Sequence, residues 1–476
     1  MASKIFMGDM PELMENILNN LKDDFHSLHS CVLVSRFWSN MSIPILWSDP
    51  FSSSKNSSFI PIYLSSLNEN DIFILNECGI VVDFPNTLFN YAIFLKVMDL
   101  IALDCLVDDW IGCLNINLHK DSKMIKYELN NLLFKLFIER GATLSRFDLC
   151  ISDDAFCDIK PEIFYLLGRN ESFFSQLQDL SVFINFKPSL QNSITLLKIL
   201  VDNSKKINTL KFTEYDYDPQ LFHTLSCVIK SQEKIKCFKI DFVRRFGRII
   251  SSLRYQQNSL REVIMENCDF SNKDFDELMN CKNLEIIRIY HCDNADRLLN
   301  RLGNSLYKIN TLDVCSYTID AWNIIQLLQK SGKLLQRLRI ASDSNEIISL
   351  PLLLETIISS CPNIVYLDFS CMKLSTQFLN FICCLQKLQY LTFTWIDDGS
   401  EEEMKTCVMK FAEMLPLSLN YLDLGIFGKV AEALIGFYIR KKTLNKVFLY
   451  DFNSRFESDL KKYVELVPYD RIEVDC

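Results

Sequence analysis

The sequence predicts an α/β repeat protein, and two observations carry that reading. From residue 144 onward a six-position pattern recurs, with Leu or Ile first and apolar residues at the fourth and sixth positions. Its copies start at Leu144, Leu177, Ile207, Ile235, Leu260, Leu284, Ile309, Leu335, Ile364, Leu388, Leu419 and Leu444. The starts lie 24 to 33 residues apart, about 27 on average, a length that holds one short strand, a turn and a helix. The second observation is independent of spacing. In such a repeat the second, third and fifth positions point out of the core and should be polar. Only eight of these 36 residues are apolar, against about 18 expected from a hydrophobic content of 49%.

Composition agrees. A chain of 476 residues makes two to four ordinary domains or one extended array, and only 12 Gly and 12 Pro argue against a loop-rich β protein. With 50 Lys and Arg against 60 Asp and Glu the net charge is −10, so nucleic-acid binding, which needs a basic footprint, is not expected. The 18 cysteines are scattered and form no C-x-x-C pair, which suits reduced thiols used as small apolar residues inside the cell. Asp9, Glu12 and Glu15 interrupt any signal-peptide core, and Lys96, Asp99 and Asp104 break the apolar stretch from Tyr91 to Val107. A soluble cytoplasmic or nuclear protein with no membrane span is expected.

The first element is a helix opened by Asp9-Met10-Pro11-Glu12: an acidic cap, a proline inside the first turn and a glutamate at the capping-box offset. Leu13, Met14, Ile17, Leu18 and Leu21 follow at helical spacing. After a polar turn, Leu28, Cys31, Val32, Val34, Phe37 and Trp38 form a second apolar stripe, and Ile43-Pro44-Ile45-Leu46-Trp47 closes the unit. Three short helices in under fifty residues make a marginal core that gains from a partner covering its leftover apolar surface.

These residues resemble the F-box, whose pattern is Leu-Pro, Glu, paired aliphatics, Val-Ser-x-x-Trp and a closing Leu-Trp. The matching positions are Met10-Pro11, Glu12, Leu13, Ile17-Leu18, Leu21, Leu28, Val34-Ser35-Arg36-Phe37-Trp38 and Leu46-Trp47. Met10 stands where Leu is usual, Ser27 where an Asp commonly precedes Leu28, and the turn after Leu21 is somewhat longer than in the family. The resemblance covers roughly the first tenth of the chain. It implies docking on a Skp-type adaptor, and we assign that contact to Met10, Pro11, Leu13, Ile17, Leu18, Leu21, Val34, Trp38, Leu46 and Trp47.

Ser52 to Ser58 is a polar small-residue stretch that marks a linker. Beyond it, 60–67, 88–103 and 124–139 read as helices. Residues 51–143 are therefore expected to form a linker and a helical segment that covers the exposed end of the array.

The pattern from 144 to 476 resembles leucine-rich repeats, about twelve of them. Cys268 and Cys292 sit where these repeats take Asn or Cys, and Cys281-Lys-Asn-Leu284 and Cys361-Pro-Asn-Ile364 resemble the cysteine-containing subtype. Helical patterns at 351–360, 401–415 and 430–440 lie between strands. Parallel strands would line the inner, concave curve of a horseshoe and helices the outer, convex one.

Outward strand residues then form a surface. Lys211, Lys236, Lys239, Arg261, Arg288, Arg337 and Arg339 give its middle a positive bias, and Tyr366, Tyr390 and Tyr421 recur at one position of three consecutive copies, with Asp368 and Asp423 beside them. A basic stretch followed by an aromatic ladder suits an acidic or phosphorylated protein segment.

Other constellations are weaker. His26, His29 and Cys31 lack a fourth zinc ligand at a finger spacing, and Gly425-x-x-Gly428 is not a phosphate loop. His291-Cys292 would make an adjacent base and thiol, but strand neighbours point to opposite faces. Arg244, Arg245, Arg248 and Arg254 lie along an amphipathic helix with a solvated side. No cofactor or metal is expected, and no catalysis by this chain.

An F-box followed by leucine-rich repeats resembles the substrate receptors of SCF-type ubiquitin ligases. The resemblance implies an adaptor, a cullin and a RING subunit as partners, and a captured protein as substrate. The rival reading is a repeat scaffold outside any ligase, whose first helices only cap the array. A thiol hydrolase using Cys292 and His291 is a third.

Overall fold

The computed structural model describes residues 11–51, 57–81, 84, 87–114, 122–151, 159–184, 190–214, 218–243, 247–271, 275–303, 307–342, 347–372, 375–395, 410–411, 414–424, 446–449 and 465–466. Two compact units divide the chain, Met1–Lys236 and Cys237–Cys476.

The first unit begins with three helices, α1 (Pro11–Asn19), α2 (Phe25–Val32) and α3 (Arg36–Leu46). Asp24 caps α2 by accepting from Ser27 N, and Ser35 caps α3 by accepting from Trp38 N, which is why the apolar stripe predicted from Leu28 to Trp38 breaks into two helices at Leu33-Val34. Met14, Leu18 and Leu28 form the core of this unit, with Leu21, Cys31, Phe37, Trp38, Met41, Ile45 and Leu46 packed around it.

Helices α4 (Phe59–Leu64) and α5 (Glu69–Glu77) follow, then strand β1 (Val97–Asp99), α6 (Leu100–Cys113) and α7 (Ser122–Glu139). The strand corrects the helix expected over 88–103. Leu95, Met98 and Leu100 are fully buried and repeat the six-position pattern, so a further copy precedes Leu144. Asp99 ends the strand and caps α6, accepting from Ile101 N and Ala102 N. Two carboxylates are buried here with partners: Asp71 lies 2.8 Å from Lys135 Nζ, and Asp104 lies 2.8 Å from Lys126 Nζ and accepts from Asn130 Nδ2 at 2.7 Å.

Strands β2 (Arg146–Ile151), β3 (Asp179–Ile184) and β4 (Thr209–Glu214) alternate with α8 (Pro161–Arg169), α9 (Leu190–Asn203) and α10 (Pro219–Ser231). All pair in parallel and in sequence order, in a register that sets Val97 against Arg146, Arg146 against Asp179 and Asp179 against Thr209.

The second unit continues the same grammar. Its strands are β5 (Cys237–Asp241), β6 (Glu262–Glu266), β7 (Ile286–Tyr290), β8 (Thr311–Ser316), β9 (Ile319–Asp320), β10 (Arg337–Ser342), β11 (Ile347–Ile348), β12 (Tyr366–Met372), β13 (Tyr390–Trp395), β14 (Tyr421–Leu424), β15 (Lys446–Leu449) and β16 (Glu465–Leu466). The helices between them are α11 (Gly247–Ser252), α12 (Ala295–Gly303), α13 (Ala321–Ser331), α14 (Leu350–Ser360) and α15 (Thr376–Cys384). Apart from the short β9–β11 pair, the strands form a parallel sheet in chain order. Val263, Ile287, Leu312, Leu338, Leu367, Leu391 and Leu422 make one buried row across it.

The turn after the strand is built as the cysteines predict. Cys268 Sγ lies 3.9 Å from Ile240 O and Cys292 Sγ 3.4 Å from Met265 O, each reaching the preceding strand, and Cys292 Sγ also receives Cys268 N at 3.4 Å. Asn283 and Asn363 of the Cys-x-Asn motifs donate to Asn258 O and Lys333 O at 3.0 and 2.8 Å. Phe242, Asn267 and His291 follow β5, β6 and β7 at positive φ, and each N–H donates to the next repeat, to Glu266 O, Tyr290 O and Cys315 O. No described helix is long and apolar enough to cross a membrane. The helical patterns at 401–409 and 430–440, and Gly425 and Gly428, lie outside the described residues.

Candidate functional site

Two surfaces carry the predicted site residues. On the N-terminal helices the structure separates the named positions by environment. Leu13, Ile17 and Val34 are 46%, 44% and 61% exposed, and Leu33, which sequence reasoning did not single out, is 75% exposed. Pro11 is exposed too. Leu18 is fully buried, and Leu21, Trp38 and Leu46 pack on the core, so these four hold the unit together. Helical periodicity could not separate the roles, because Leu13-Met14 and Ile17-Leu18 are adjacent pairs of similar hydrophobicity that straddle the boundary of the buried face. Met10 lies outside the described residues.

Trp47 takes a different role from docking. It is 6% exposed, stacks on Tyr91 at 4.0 Å between ring centroids, and meets Phe59 and Tyr63 edge-on at 4.8 and 5.2 Å. Next to it, Ser48 O accepts Lys96 N and Val97 N at 2.8 and 3.0 Å. The same doubled acceptance recurs at Lys96 O, Ser145 O and Gln178 O, so the helical unit ends on the first rung of the strand ladder.

The second surface is the outward face of the strands. The positive bias read from the sequence is corrected, because the cations stand among carboxylates. Lys239 Nζ is 2.8 Å from Glu266, Arg261 is 2.8 Å from Glu285, and Arg288 bridges Glu262 at 3.0 Å and Asp313 at 3.2 Å. Arg339 Nε lies 3.0 Å from Asp368 Oδ2, close enough for charge pairing but off the line a hydrogen bond needs. Tyr290 adds a hydrogen bond to Asp313 at 3.1 Å. Lys211, in the first unit, and Lys236 are exposed. Glu262, Glu266 and Asp313 share the outward strand face with the basic residues, so alternation could have found them.

Tyr366, Tyr390 and Tyr421 do form a ladder. They are register partners on β12, β13 and β14, with ring centroids 6.5 and 5.8 Å apart, and the Arg337 guanidinium lies 4.0 Å over the Tyr366 ring. In the row beside them stand Asp368, Thr392 and Asp423. Burial and the neighbouring Asp368 push the Asp423 carboxyl up to about 6, and burial with the Asp423 and Asp368 charges pushes the Tyr421 hydroxyl up.

The remaining candidates are dispersed. His291 Nε2 faces Cys315 Sγ at 3.7 Å and not Cys292, whose thiol is turned to backbone carbonyls, so the adjacent His-Cys pair is not assembled. Burial pushes the Cys281 and Cys361 thiols up to about 12. His29 stacks on Phe25, and among the described residues no group of three His, Cys, Asp or Glu is placed to hold a metal. Arg248 and Arg254 lie on α11 and the 3-10 turn Leu253–Gln256, while Arg244 and Arg245 lie outside the described residues.

No family model and no curated protein matches the sequence. Solved structures resemble the fold. The chain is similar to the yeast Rad7 and Elc1 complex, at 15% identity and a TM-score of 0.42 over 63% of this chain and 83% of that one. It is also similar to the leucine-rich repeat-containing protein LegL7 from Legionella pneumophila, at 11% identity and 0.38 over 59% and 90%. The TLR13–ssRNA13 complex is similar at 13% and 0.36 over 65% and 44%. The strand ladder itself gives the architecture. Its parallel strands, stacked in chain order at one per repeat, are those of a leucine-rich-repeat fold.

Proposed function

We propose that the chain is a non-catalytic substrate receptor of an SCF-type ubiquitin ligase, working in the cytoplasm or nucleus. In this reading the N-terminal helices dock on a Skp-type adaptor, which joins the receptor to cullin and RING subunits, and the strand face holds the protein to be modified. The receptor contributes proximity: a substrate lysine held near a charged conjugating enzyme meets it at a high local concentration. The observation that supports this reading most is the exposure of Leu13, Ile17, Leu33 and Val34 on a unit whose core is already filled by Met14, Leu18 and Leu28. Apolar side chains left out of a complete small core mark an interaction face.

The test is co-expression with a Skp-type adaptor and size-exclusion chromatography. Co-elution is expected, and Leu13→Asp with Ile17→Asp should abolish it while circular dichroism stays that of the wild type. Elution of the folded wild-type chain without the adaptor would favour a repeat scaffold outside any ligase. That second reading is supported by Trp47 and Ser48, which tie the helical unit into the array as a cap would.

A further inference from the structure

Along the strand face of the second unit, opposite charges answer one another until the sheet reaches β14. Lys239, Arg288 and Arg339 each lie within salt-bridge distance of a carboxylate. Asp423 ends this series. It is 9% exposed, it shares its strand face with Tyr421, and among the described residues no hydrogen-bond donor or cation reaches its carboxylate. A carboxylate taken out of water with no donor is costly, and a cation within reach recovers that cost. Beside it, the Tyr366, Tyr390 and Tyr421 rings offer π faces, and the fold itself shows what they accept: Arg337 already sits over Tyr366 at 4.0 Å.

We propose that Tyr390, Tyr421 and Asp423 receive a lysine or arginine side chain from a basic segment of a partner protein. The head group would pair with Asp423 while its alkyl stem lies along the tyrosine rings, the combination that such long amphipathic side chains favour. Charge selects the sign of the partner. Asp368 stands in the same row two strands away, about 10 Å from Asp423 by strand spacing, so a phosphorylated or acidic segment seated on Asp423 would meet a second carboxylate nearby, whereas the neighbouring cations Arg339 and Arg337 are already engaged by Asp368 and by the Tyr366 ring. The proposal reverses the partner chemistry expected from the sequence. It rests on the strand face being the recognition surface, whereas adaptor co-elution tests the receptor role separately and succeeds or fails without it.

The experiment uses the full chain and two fluorescein-labelled peptides of equal length, one of alternating arginine and serine and one of phosphoserine and glutamate, followed by anisotropy in about 0.2 M salt to screen the chain's net negative charge. Binding of the arginine peptide is expected, weakened at least about tenfold by Asp423→Asn, a change that keeps the side-chain shape. Glu355→Gln, the same charge change at an exposed position of α14, should leave binding unchanged. Equal affinity of wild type and Asp423→Asn, equal weakening by Glu355→Gln, absence of arginine-peptide binding, or tighter binding of the phosphopeptide would each overturn the proposal.

Discussion

At the residue scale the second unit keeps one carboxyl where folding alone would not choose it. Asp423 titrates near 6 when folded, raised by burial and then by Asp368, against about 3.9 in an unfolded chain. The folded state therefore holds more protons between these values, and stability must fall as pH rises from about 4 to above 6. On one side the neighbouring groups are Thr392 and Tyr390 from β13, Asp368 and Tyr366 from β12, and Arg339 beyond Asp368; Tyr421 is on its own strand, and on the other side β15 sets Phe448 in register with Asp423 and Lys446 in register with Tyr421. Relief of this penalty should make Asp423→Asn about 1–2 kcal/mol more stable than wild type at pH 8, less than the full shift converts to because the carboxylate keeps some solvent contact. At pH 4 the two should unfold alike in urea. An equal difference at both pH values would show that packing, not charge, distinguishes them.

At the element scale, repeats stack only as closely as their turns allow. Gly332 follows α13, and a Cβ built on it would stand 2.6 Å from Cys361 Sγ and 3.0 Å from Ser360 O at the end of α14. Gly332→Ala should cost about 1–3 kcal/mol by overpacking. Cys361→Ala in the same chain removes the sulfur and should recover part of that loss in a double-mutant cycle by thermal unfolding; strict additivity would place the strain elsewhere. The capping signals of α2 and α3 were local and legible, since Asp24 and Ser35 each precede a helix and bond within it. Strand β1 was equally written in Leu95, Met98 and Leu100, but a run of apolar residues around it fits helical spacing as well. Only the register of Val97 to Asp99 against Arg146 to Asp148 decides between them.

At the scale of the whole molecule, the join between the N-terminal helices and the first strand decides what counts as a folding unit. Trp47 buries its indole among Phe59, Tyr63 and Tyr91, and Trp47→Ala should cost about 3–5 kcal/mol. Hydrogen exchange on the full chain should show the Lys96 and Val97 amides, which donate to Ser48 O, losing protection together with the amides of α3. Loss confined to α3 would make the helical unit independent of the ladder. The six-position pattern by itself determined the α/β repeat architecture, the buried rows and the places of Cys268 and Cys292, because a strand's period of two and a repeat's fixed length are properties of neighbouring residues. Which F-box-like side chains face water, which acids answer Lys239, Arg288 and Arg339, and why Asp423 is left beside three tyrosines were decided only by tertiary structure. The first depends on how three helices pack around Met14, Leu18 and Leu28; the others depend on residues some 24 to 31 positions apart being brought to adjacent strands, and no local pattern specifies the charge a neighbouring repeat will present.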